Sequence, residues 1–273
     1  MPKAILPDPV LDALLQSALA GADAVMGVYA TDFVVDEKPD QSPVCDADRL
    51  AEAAILTSLG DAFPGVPVIA EESAGAGIVP DIGGRFLLVD PLDGTKEFVR
   101  RNGEFTVNVA LIEDGVPVAG IVLAPALGLA YAGGATGAFK GRWAGGSVEG
   151  FVPIGVRPPA PQPVAVASRS HLTPETEVFL AQAQAGERRS IGSSLKFCLV
   201  AEGAADLYPR HGPTMEWDTA AGDAVLRAAG GSVVTLDGAP LTYGKASAPG
   251  MRPFENPFFI ATGGLPLAKI SAS

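Results

Sequence analysis

The 273-residue sequence predicts an α/β (α+β) fold with two lobes, a mainly antiparallel sheet lobe over residues 1–157 and an α/β lobe over residues 158–273. Three observations predict it. Short apolar strands joined by turn residues follow one another in the first half, whereas strands alternate with helices in the second half. Between the halves lies the segment Arg157 to Pro163, where consecutive prolines exclude regular structure.

The first lobe opens with two predicted helices. Asp8 to Tyr29 predicts a helix because its apolar side chains recur with a period of about 3.6 residues. Asp46 to Leu59 predicts a second helix, whose first turn carries Asp46 and Asp48. The strands predicted after them are Val66 to Ala70, Arg85 to Val89, Phe105 to Ile112, Val116 to Leu123 and Leu129 to Ala132. Their short links, such as Asp114-Gly115, favour antiparallel pairing.

In the second lobe, Thr173-Pro174-Glu175 predicts a helix start, with an N-cap threonine, a proline in the first turn and an early acid. The other predicted elements are the strands Val164 to Ser168 and Ser232 to Leu236 and the helices Ser194 to Ala204 and Thr219 to Ala229. This alternation of strands and helices favours a layer with parallel pairing.

The formal net charge of −12 argues against a nucleic-acid polymer as partner, because a phosphate backbone favours a basic surface. An acidic protein that binds phosphates must recruit cations. The chain has only two histidines, His171 and His211, and two cysteines, Cys45 and Cys198, which is a poor basis for a zinc site. Carboxylates suit magnesium, manganese or calcium instead.

The sequence predicts a cytoplasmic protein. No uninterrupted apolar run reaches the roughly 18 residues of a membrane-spanning helix, and the proline-rich start does not have the form of a signal peptide. Two cysteines do not make a disulfide framework and are expected to be free thiols.

Three acidic segments carry the candidate chemistry. They are Glu71-Glu72-Ser73 after a strand, Asp90-Pro91-Leu92-Asp93-Gly94-Thr95 after another, and Trp217-Asp218-Thr219-Ala220-Ala221-Gly222 at the start of a helix. Each carboxylate lies at the end of a regular element, where side chains commonly line binding sites.

The segment Asp90 to Thr95 has the composition of a turn that binds ions. Pro91 fixes one backbone torsion and Gly94 permits a tight turn, so Asp90 and Asp93 could face one cation while the Leu92 carbonyl supplies a third oxygen. The amides of Gly94 and Thr95 would then point toward an oxyanion.

Taken singly, each segment also has a purely structural interpretation. Glu71-Glu72 could be a solvated strand end, the Asp90 to Thr95 segment a structural turn, and Asp218 a helix N-cap. Their combination favours function, because the three segments in this order resemble the lithium-sensitive, magnesium-dependent phosphatase superfamily of inositol monophosphatases, fructose-1,6-bisphosphatases and bisphosphate nucleotidases.

Within that superfamily the chain resembles bacterial 3′(2′),5′-bisphosphate nucleotidases, over roughly residues 8 to 262. The features that carry this closer resemblance are Lys38 to Val44, Lys96-Glu97-Phe98, Arg101 to Asn108 and Ser190 to Arg210. The resemblance implies a layered α-β-α-β-α sandwich and two or three Mg²⁺ ions per site. The implied metal ligands are Glu71, Asp90, the Leu92 carbonyl, Asp93 and Asp218.

The resemblance also implies the catalytic groups. Thr95 is expected to activate a water and Asp48 to accept a hydrogen bond from Thr95, with Glu71 and Asp93 taking part in catalysis. Asp48 could otherwise be a first-turn acid favoured by the helix dipole. Cys45 stands where the family usually has threonine, and we interpret it as a packing change rather than a nucleophile.

Substrate contacts are expected from Glu71, Leu92, Asp93, Gly94, Thr95, Asp218, Lys196 and Arg210. Lys196 and Arg210 are cations suited to a second phosphate on the ligand, although each could equally be a surface charge.

The hypothesis is hydrolysis of 3′-phosphoadenosine 5′-phosphate to AMP and phosphate, which clears a by-product of sulfate assimilation. The alternatives are an inositol-1-phosphatase or another sugar-phosphate phosphatase and, from a different class, a non-catalytic magnesium- or nucleotide-binding protein. The family contains monomers and homodimers, and peripheral membrane attachment is implied by resemblance alone.

Overall fold

The computed structural model describes residues 6–33, 35–37, 43–158, 160–167, 173–246 and 251–265. Residues 38–42 of the motif Lys38 to Val44, His171, the predicted strand end at Ser168 and the Cys45 side chain lie outside this description. The described α-helices are α1 (Pro9–Tyr29), α2 (Asp46–Ala62), α3 (Glu71–Gly75), α4 (Thr95–Val99), α5 (Pro174–Gln182), α6 (Leu195–Ala201) and α7 (Glu216–Ala228).

The first sheet has seven strands in the order β3-β4-β5-β6-β7-β8-β9. They are β3 (Val68–Ala70), β4 (Arg85–Asp93), β5 (Thr106–Glu113), β6 (Val116–Ala124), β7 (Leu129–Gly134), β8 (Gly137–Trp143) and β9 (Val148–Ile154), preceded by a separate hairpin of β1 (Val35–Glu37) and β2 (Pro43–Cys45). All neighbours pair antiparallel except β3 and β4, which are parallel. The predicted antiparallel sheet is therefore present.

Alternating side chains of this sheet enter two different cores. On β5, Val109 and Leu111 pack with α1 and α2, whereas Ala110 and Ile112 pack on the opposite face with α6 and α7. Because both faces are covered, successive residues of the central strands β5 and β6 are buried rather than alternately buried and exposed.

Helix α7 lies very close to the sheet because glycines face it. A Cβ atom on Gly120 would come within 2.7 Å of the Ala221 carbonyl oxygen, and one on Gly133 within 2.4 Å of the Val225 Cα atom. Only glycine permits this approach, so the sheet fixes the helix that carries Asp218.

The second sheet has the order β11-β10-β12-β14-β13. Its strands are β10 (Val164–Ala167), β11 (Glu187–Ser190), β12 (Leu207–Arg210), β13 (Ser232–Thr235) and β14 (Phe259–Thr262). One face packs on α6 and α7, and the other, through Leu207 and Ile260, on Leu180 of α5. The layers run α1/α2, first sheet, α6/α7, second sheet, α5, which confirms the predicted α-β-α-β-α sandwich.

The second sheet is only partly parallel, contrary to the sequence prediction. Strands β11, β10 and β12 are parallel, but β14 pairs antiparallel with both β12 and β13. Strand β11 was not predicted because all four of its residues are exposed and polar. Strand β12 was not predicted because Pro209 lies within it. The change of sheet falls between β9 and β10, and the division into lobes at 157/158 stays a prediction.

The predicted helices are present with shifted ends. Helix α1 begins one residue after its N-cap Asp8, and α2 continues to Ala62 rather than Leu59. Helix α6 ends at Ala201 rather than Ala204, and α7 begins at Glu216 rather than Thr219. The five-residue helices α3 and α4 are too short to produce a periodic pattern.

Helix α1 is long enough and apolar enough to cross a bilayer, by length and composition only. Half of its apolar window is buried inside the protein, where Leu11, Leu14 and Leu15 pack in the core with α2 and the first sheet. That burial is what a core helix shows.

Candidate active site

Strand β4 delivers Asp90 and Asp93 to the end of the first sheet. The strand continues through Asp93, four residues past its predicted end, but its pairing with β5 shifts between Asp90 and Asp93. Pro91 has no amide to donate, and the Leu92 amide donates instead to Asp90 Oδ1 at 3.0 Å. The irregularity lets Asp90 and Asp93 lie close together, with Asp90 and Leu92 buried.

Gly94 follows this irregular stretch with φ of 91°, as the predicted tight turn requires. A Cβ atom there would lie 2.2 Å from Ser193 Oγ, so the position also excludes side chains sterically. Thr95 then opens α4.

Glu71 lies directly after β3, the strand parallel to β4. It begins the short helix α3 and is partly buried. Because parallel neighbouring strands end at the same edge, this places Glu71 beside the Asp90 to Asp93 segment.

Asp218 is the third residue of α7 rather than its N-cap. The N-cap position belongs to Met215, whose backbone amide donates to Asp218 Oδ2 at 2.8 Å. The carboxylate thus satisfies one free amide of the helix start, as in half of a capping box. The structural alternative was correct about capping but wrong about the position.

The four carboxylates act on one another. Burial raises the pKa of Asp90 well above its ordinary value, and Glu71, Asp93 and Asp218 raise it further. Burial also raises the pKa of Asp218 to about 8, with further contributions from Asp93 and Glu71. The three acidic segments that are distant in sequence therefore form one electrostatically coupled site.

The donor chemistry of this site fits magnesium. Its candidate ligands are carboxylate oxygens and the Leu92 carbonyl, the kind of donor that hard divalent cations prefer. Within the described ranges, no three acidic, histidine or cysteine side chains form a closed ligand set around one point. The fit accordingly rests on the type of donor and on the mutual repulsion that a cation would relieve.

Thr95 and Asp48 are brought together from positions 47 residues apart. The Thr95 hydroxyl lies 3.3 Å from Asp48 Oδ1 and 3.3 Å from the Leu92 carbonyl oxygen. Asp48 is 1% exposed in the first turn of α2. An interaction with the helix dipole alone does not account for the burial of Asp48 or for its contact with Thr95.

Lys196 is not a surface charge. It is 6% exposed, donates to the Ser193 carbonyl at 2.6 Å and lies 5.4 Å from the centre of the Tyr208 ring. Burial lowers the pKa of Lys196 to about 8, although Asp93 acts in the opposite direction. Because Lys196 lies near Asp93, it places a cation beside the acidic cluster.

Arg210, at the end of β12, is partly buried. Its guanidinium donates to the carbonyl oxygens of Gly212 at 3.2 Å and Pro213 at 2.9 Å, so the side chain bends back over its own loop. Arg210 contributes to the pKa values of Lys196 and Asp218 and hence lies near the site.

The sequence interpretation missed a set of supporting residues. The Ser194 amide donates to Asp93 Oδ2 at 2.6 Å, and Asn108 Nδ2 lies 3.4 Å from the same oxygen. Ser193 Oγ lies 2.8 Å from both the Asp93 and Glu104 carbonyl oxygens. Ser194 and Asn108 lay inside the motifs that carried the resemblance, but small polar residues give no signal of the partner they will find across the fold.

The layered sandwich and the oxygen-rich acidic site agree with the class of protein that the motifs indicated. That class is a magnesium-dependent phosphatase. The inositol monophosphatase family profile matches residues 6–252. The chain belongs to the inositol monophosphatase family.

Three relatives illustrate the similarity. The 3′(2′),5′-bisphosphate nucleotidase CysQ of Escherichia coli strain K12 is 47% identical over 236 residues, covering 86% of this chain and 94% of the relative. A histidinol-phosphatase of Mycobacterium tuberculosis is 39% identical over 244 residues, covering 85% and 90%. The crystal structure of CysQ from Bacteroides thetaiotaomicron is 38% identical, with a TM-score of 0.75 and coverage of 92% and 96%.

Proposed function

We propose that the chain is a magnesium-dependent 3′(2′),5′-bisphosphate nucleotidase that hydrolyses 3′-phosphoadenosine 5′-phosphate to AMP and phosphate. The observation that carries the proposal is the coupling of Asp90 to Glu71, Asp93 and Asp218, four acids that repel one another at one place. The identity to the Escherichia coli nucleotidase over nearly its whole length supports the choice of substrate.

The proposed metal ligands are Glu71, Asp90, Asp93, Asp218 and the Leu92 carbonyl oxygen. Bound magnesium would neutralise these carboxylates, attract the substrate phosphate and promote ionisation of the attacking water. We propose that the site holds two or three magnesium ions.

The chain's own residues orient the nucleophile. When Thr95 donates its hydroxyl hydrogen to Asp48, the lone pairs of Oγ1 are available to accept a hydrogen bond from a water. The water oxygen attacks phosphorus in line with the ester oxygen and gives up a proton, the P–O bond breaks, and the leaving oxygen takes up a proton in exchange to become the ribose hydroxyl. No covalent phosphoenzyme is formed, and positioning with charge neutralisation supplies most of the rate enhancement.

Lys196 and Arg210 are proposed to bind the second phosphate of the substrate. Lys196 supplies a positive charge beside the acidic cluster, and Lys and Arg are common phosphate partners. This feature favours a bisphosphate over a monophosphate such as inositol 1-phosphate. The Gly94 and Thr95 amides are proposed to contact the phosphate that is cleaved.

A second phosphomonoesterase activity remains the alternative. The histidinol-phosphatase of Mycobacterium tuberculosis is also similar to this chain over most of its length. Histidinol phosphate therefore joins inositol 1-phosphate and fructose 1,6-bisphosphate as competing substrates. A non-catalytic binding protein is disfavoured, because a pure binder would not need the Thr95–Asp48 pair. A cytoplasmic location stays a prediction.

The test is phosphate release from 3′-phosphoadenosine 5′-phosphate and from the three competing substrates. Each is measured with magnesium, with a chelator and with added lithium. We expect the bisphosphate nucleotide to be preferred by more than about tenfold in kcat/KM, with loss of activity in chelator and inhibition by lithium. A smaller preference would transfer the assignment to the better substrate, and activity that survives chelation would exclude the metal-dependent mechanism.

A further inference from the structure

Glu52 is a buried acid that the proposed reaction does not use. It lies on α2, four residues after Asp48, and is 6% exposed. Residues four apart lie on the same helix face, so Glu52 points the same way as the acid that contacts Thr95. A buried carboxylate requires partners, and those of Glu52 lie outside its own helix.

The partners are the first groups of α3. Glu52 Oε2 accepts from the Glu72 amide at 2.8 Å, and Oε1 accepts from the Ser73 amide at 2.9 Å and the Ser73 hydroxyl at 2.5 Å. The N-cap residue of α3, Ala70, has no side chain that can accept these amides. Glu52 therefore caps α3 from another helix.

This capping acts directly on the position of Glu71. On one side of Glu71, Ala70 is held by the pairing of β3 with β4, opposite Val89. On the other side, the Glu72 and Ser73 amides are held by Glu52. The backbone of Glu71 is thus fixed at both ends, and a five-residue helix has little stability of its own to replace the second constraint.

We propose that Glu52 is a positioning residue that holds Glu71 in place for metal binding. Through Asp48 and Glu52, one face of α2 then positions both the Thr95 hydroxyl and the Glu71 carboxylate. The inference rests on the proposed magnesium site at Glu71. Partners that orient a metal ligand commonly change metal affinity by about 10- to 100-fold when they are removed.

Two variants and one control test the role. Glu52→Gln keeps the side-chain shape but turns an NH₂ group toward a backbone amide, so one capping bond is lost. Ser73→Ala removes only the hydroxyl contact and leaves both amide contacts in place. The control is Asp61→Asn, which removes one negative charge from an exposed position on the same helix.

Magnesium binding to the metal-free protein is measured by calorimetry, and exchange of the Glu72 and Ser73 amides by hydrogen–deuterium mass spectrometry. We expect Glu52→Gln to weaken magnesium binding by about tenfold or more and to speed this exchange, with Ser73→Ala intermediate and Asp61→Asn unchanged. The exchange measurement needs no metal and no substrate, so it reports on positioning even if the proposed activity is wrong.

Two outcomes would overturn the inference. One is a Glu52→Gln protein that binds magnesium like the wild type, even with a lower melting temperature, because Glu52 would then be structural only. The other is weaker magnesium binding without faster amide exchange at Glu72 and Ser73, because the loss of a nearby negative charge would then explain the weaker binding by itself. A wild-type protein that binds no magnesium would instead overturn the proposed function.

Discussion

The backbone amide of Ser194 donates a 2.6 Å hydrogen bond to Oδ2 of Asp93. The Ser194 hydroxyl in turn donates to the Asp218 carbonyl at 2.7 Å and accepts from Asn108 Nδ2 at 3.0 Å. One serine before α6 therefore connects the acid at the end of β4 with the helix that carries Asp218. The relative placement of the two carboxylates is set by a residue that belongs to neither acidic motif.

This arrangement makes Asp93→Asn an informative variant. Asparagine retains an oxygen that accepts from the Ser194 amide but removes the negative charge, so we expect the fold to persist. Turnover should fall by about 100-fold or more, since one charged ligand of the proposed metal site is lost. Burial raises the pKa of Asp93, so the neutral side chain should leave the melting temperature of the metal-free protein unchanged or higher.

The control for Asp93→Asn is Asp81→Asn, which neutralises an exposed acid. Phosphate release and thermal melting are measured on both proteins. Near-normal turnover in Asp93→Asn would show that the catalytic site has been assigned to the wrong residues.

Thr95→Ala tests the orientation of the attacking water. The hydroxyl lies 3.3 Å from Asp48 Oδ1, and its removal should lower kcat by about 100-fold while the magnesium concentration for half-maximal activity changes little. Thr95→Ser keeps the hydroxyl and should recover most of the activity. Weakened magnesium activation with normal kcat would instead make Thr95 a structural residue of the metal site.

The acidic residues of the site could be predicted from the sequence, whereas the residues that hold them in place could not. Glu71, Asp90, Asp93 and Asp218 were found because carboxylates at element ends, in a recognisable order, predict their own chemistry. Ser194 and Glu52 could not be found in this way, since their roles depend on partners 101 and 20 residues away in the chain. Such distant hydrogen bonds leave no local pattern.

The same distinction applies to the fold. The central strands were predicted because burial on both faces favours runs of consecutive apolar residues, such as Val109 to Ile112 in β5. The edge strand β11 is fully exposed, and β8 is only partly buried with two glycines within it, so neither carries that signal. The antiparallel pairing of β14 is set by a long-range contact with β12 and β13 that alternation of strands and helices does not encode.

Lys196→Met tests the proposed contact with the second phosphate. We expect KM for the bisphosphate nucleotide to rise by about tenfold or more, as for loss of a charged hydrogen bond, and KM for inositol 1-phosphate to change little. Because the pKa of Lys196 is lowered to about 8, the wild-type lysine loses its charge as the pH rises through that value. Wild-type KM for the bisphosphate should therefore increase on the alkaline side, whereas that of Lys196→Met should stay flat.

Arg142→Met serves as the control for Lys196→Met, because it removes an exposed cation on β8, four strands away from β4. Steady-state kinetics with both substrates between about pH 7 and pH 9 give the measurement. Equal increases in KM for the two substrates would assign Lys196 to the shared phosphate site and not to the second phosphate.

The stability of the metal-free protein should depend on pH through Asp218. Its pKa is about 8 in the folded protein, against an ordinary value of 3.8 when exposed. Between these values the folded state holds a proton that the unfolded state has released, so stability falls as the pH rises, by about 1.4 kcal/mol per pH unit for each such proton. Asp90, whose pKa is raised by the same neighbours, adds to the slope.

Magnesium should reverse this loss, because a cation stabilises the ionised carboxylates and binds the folded state selectively. The increase in melting temperature on adding magnesium should accordingly be larger near about pH 8 than near about pH 6. Asp218→Asn removes one of the titrating groups and should make the pH dependence of the metal-free protein shallower. Thermal melting in chelator across this range gives the measurement, and a wild-type melting temperature that rises with pH would show that the four carboxylates are not coupled as described.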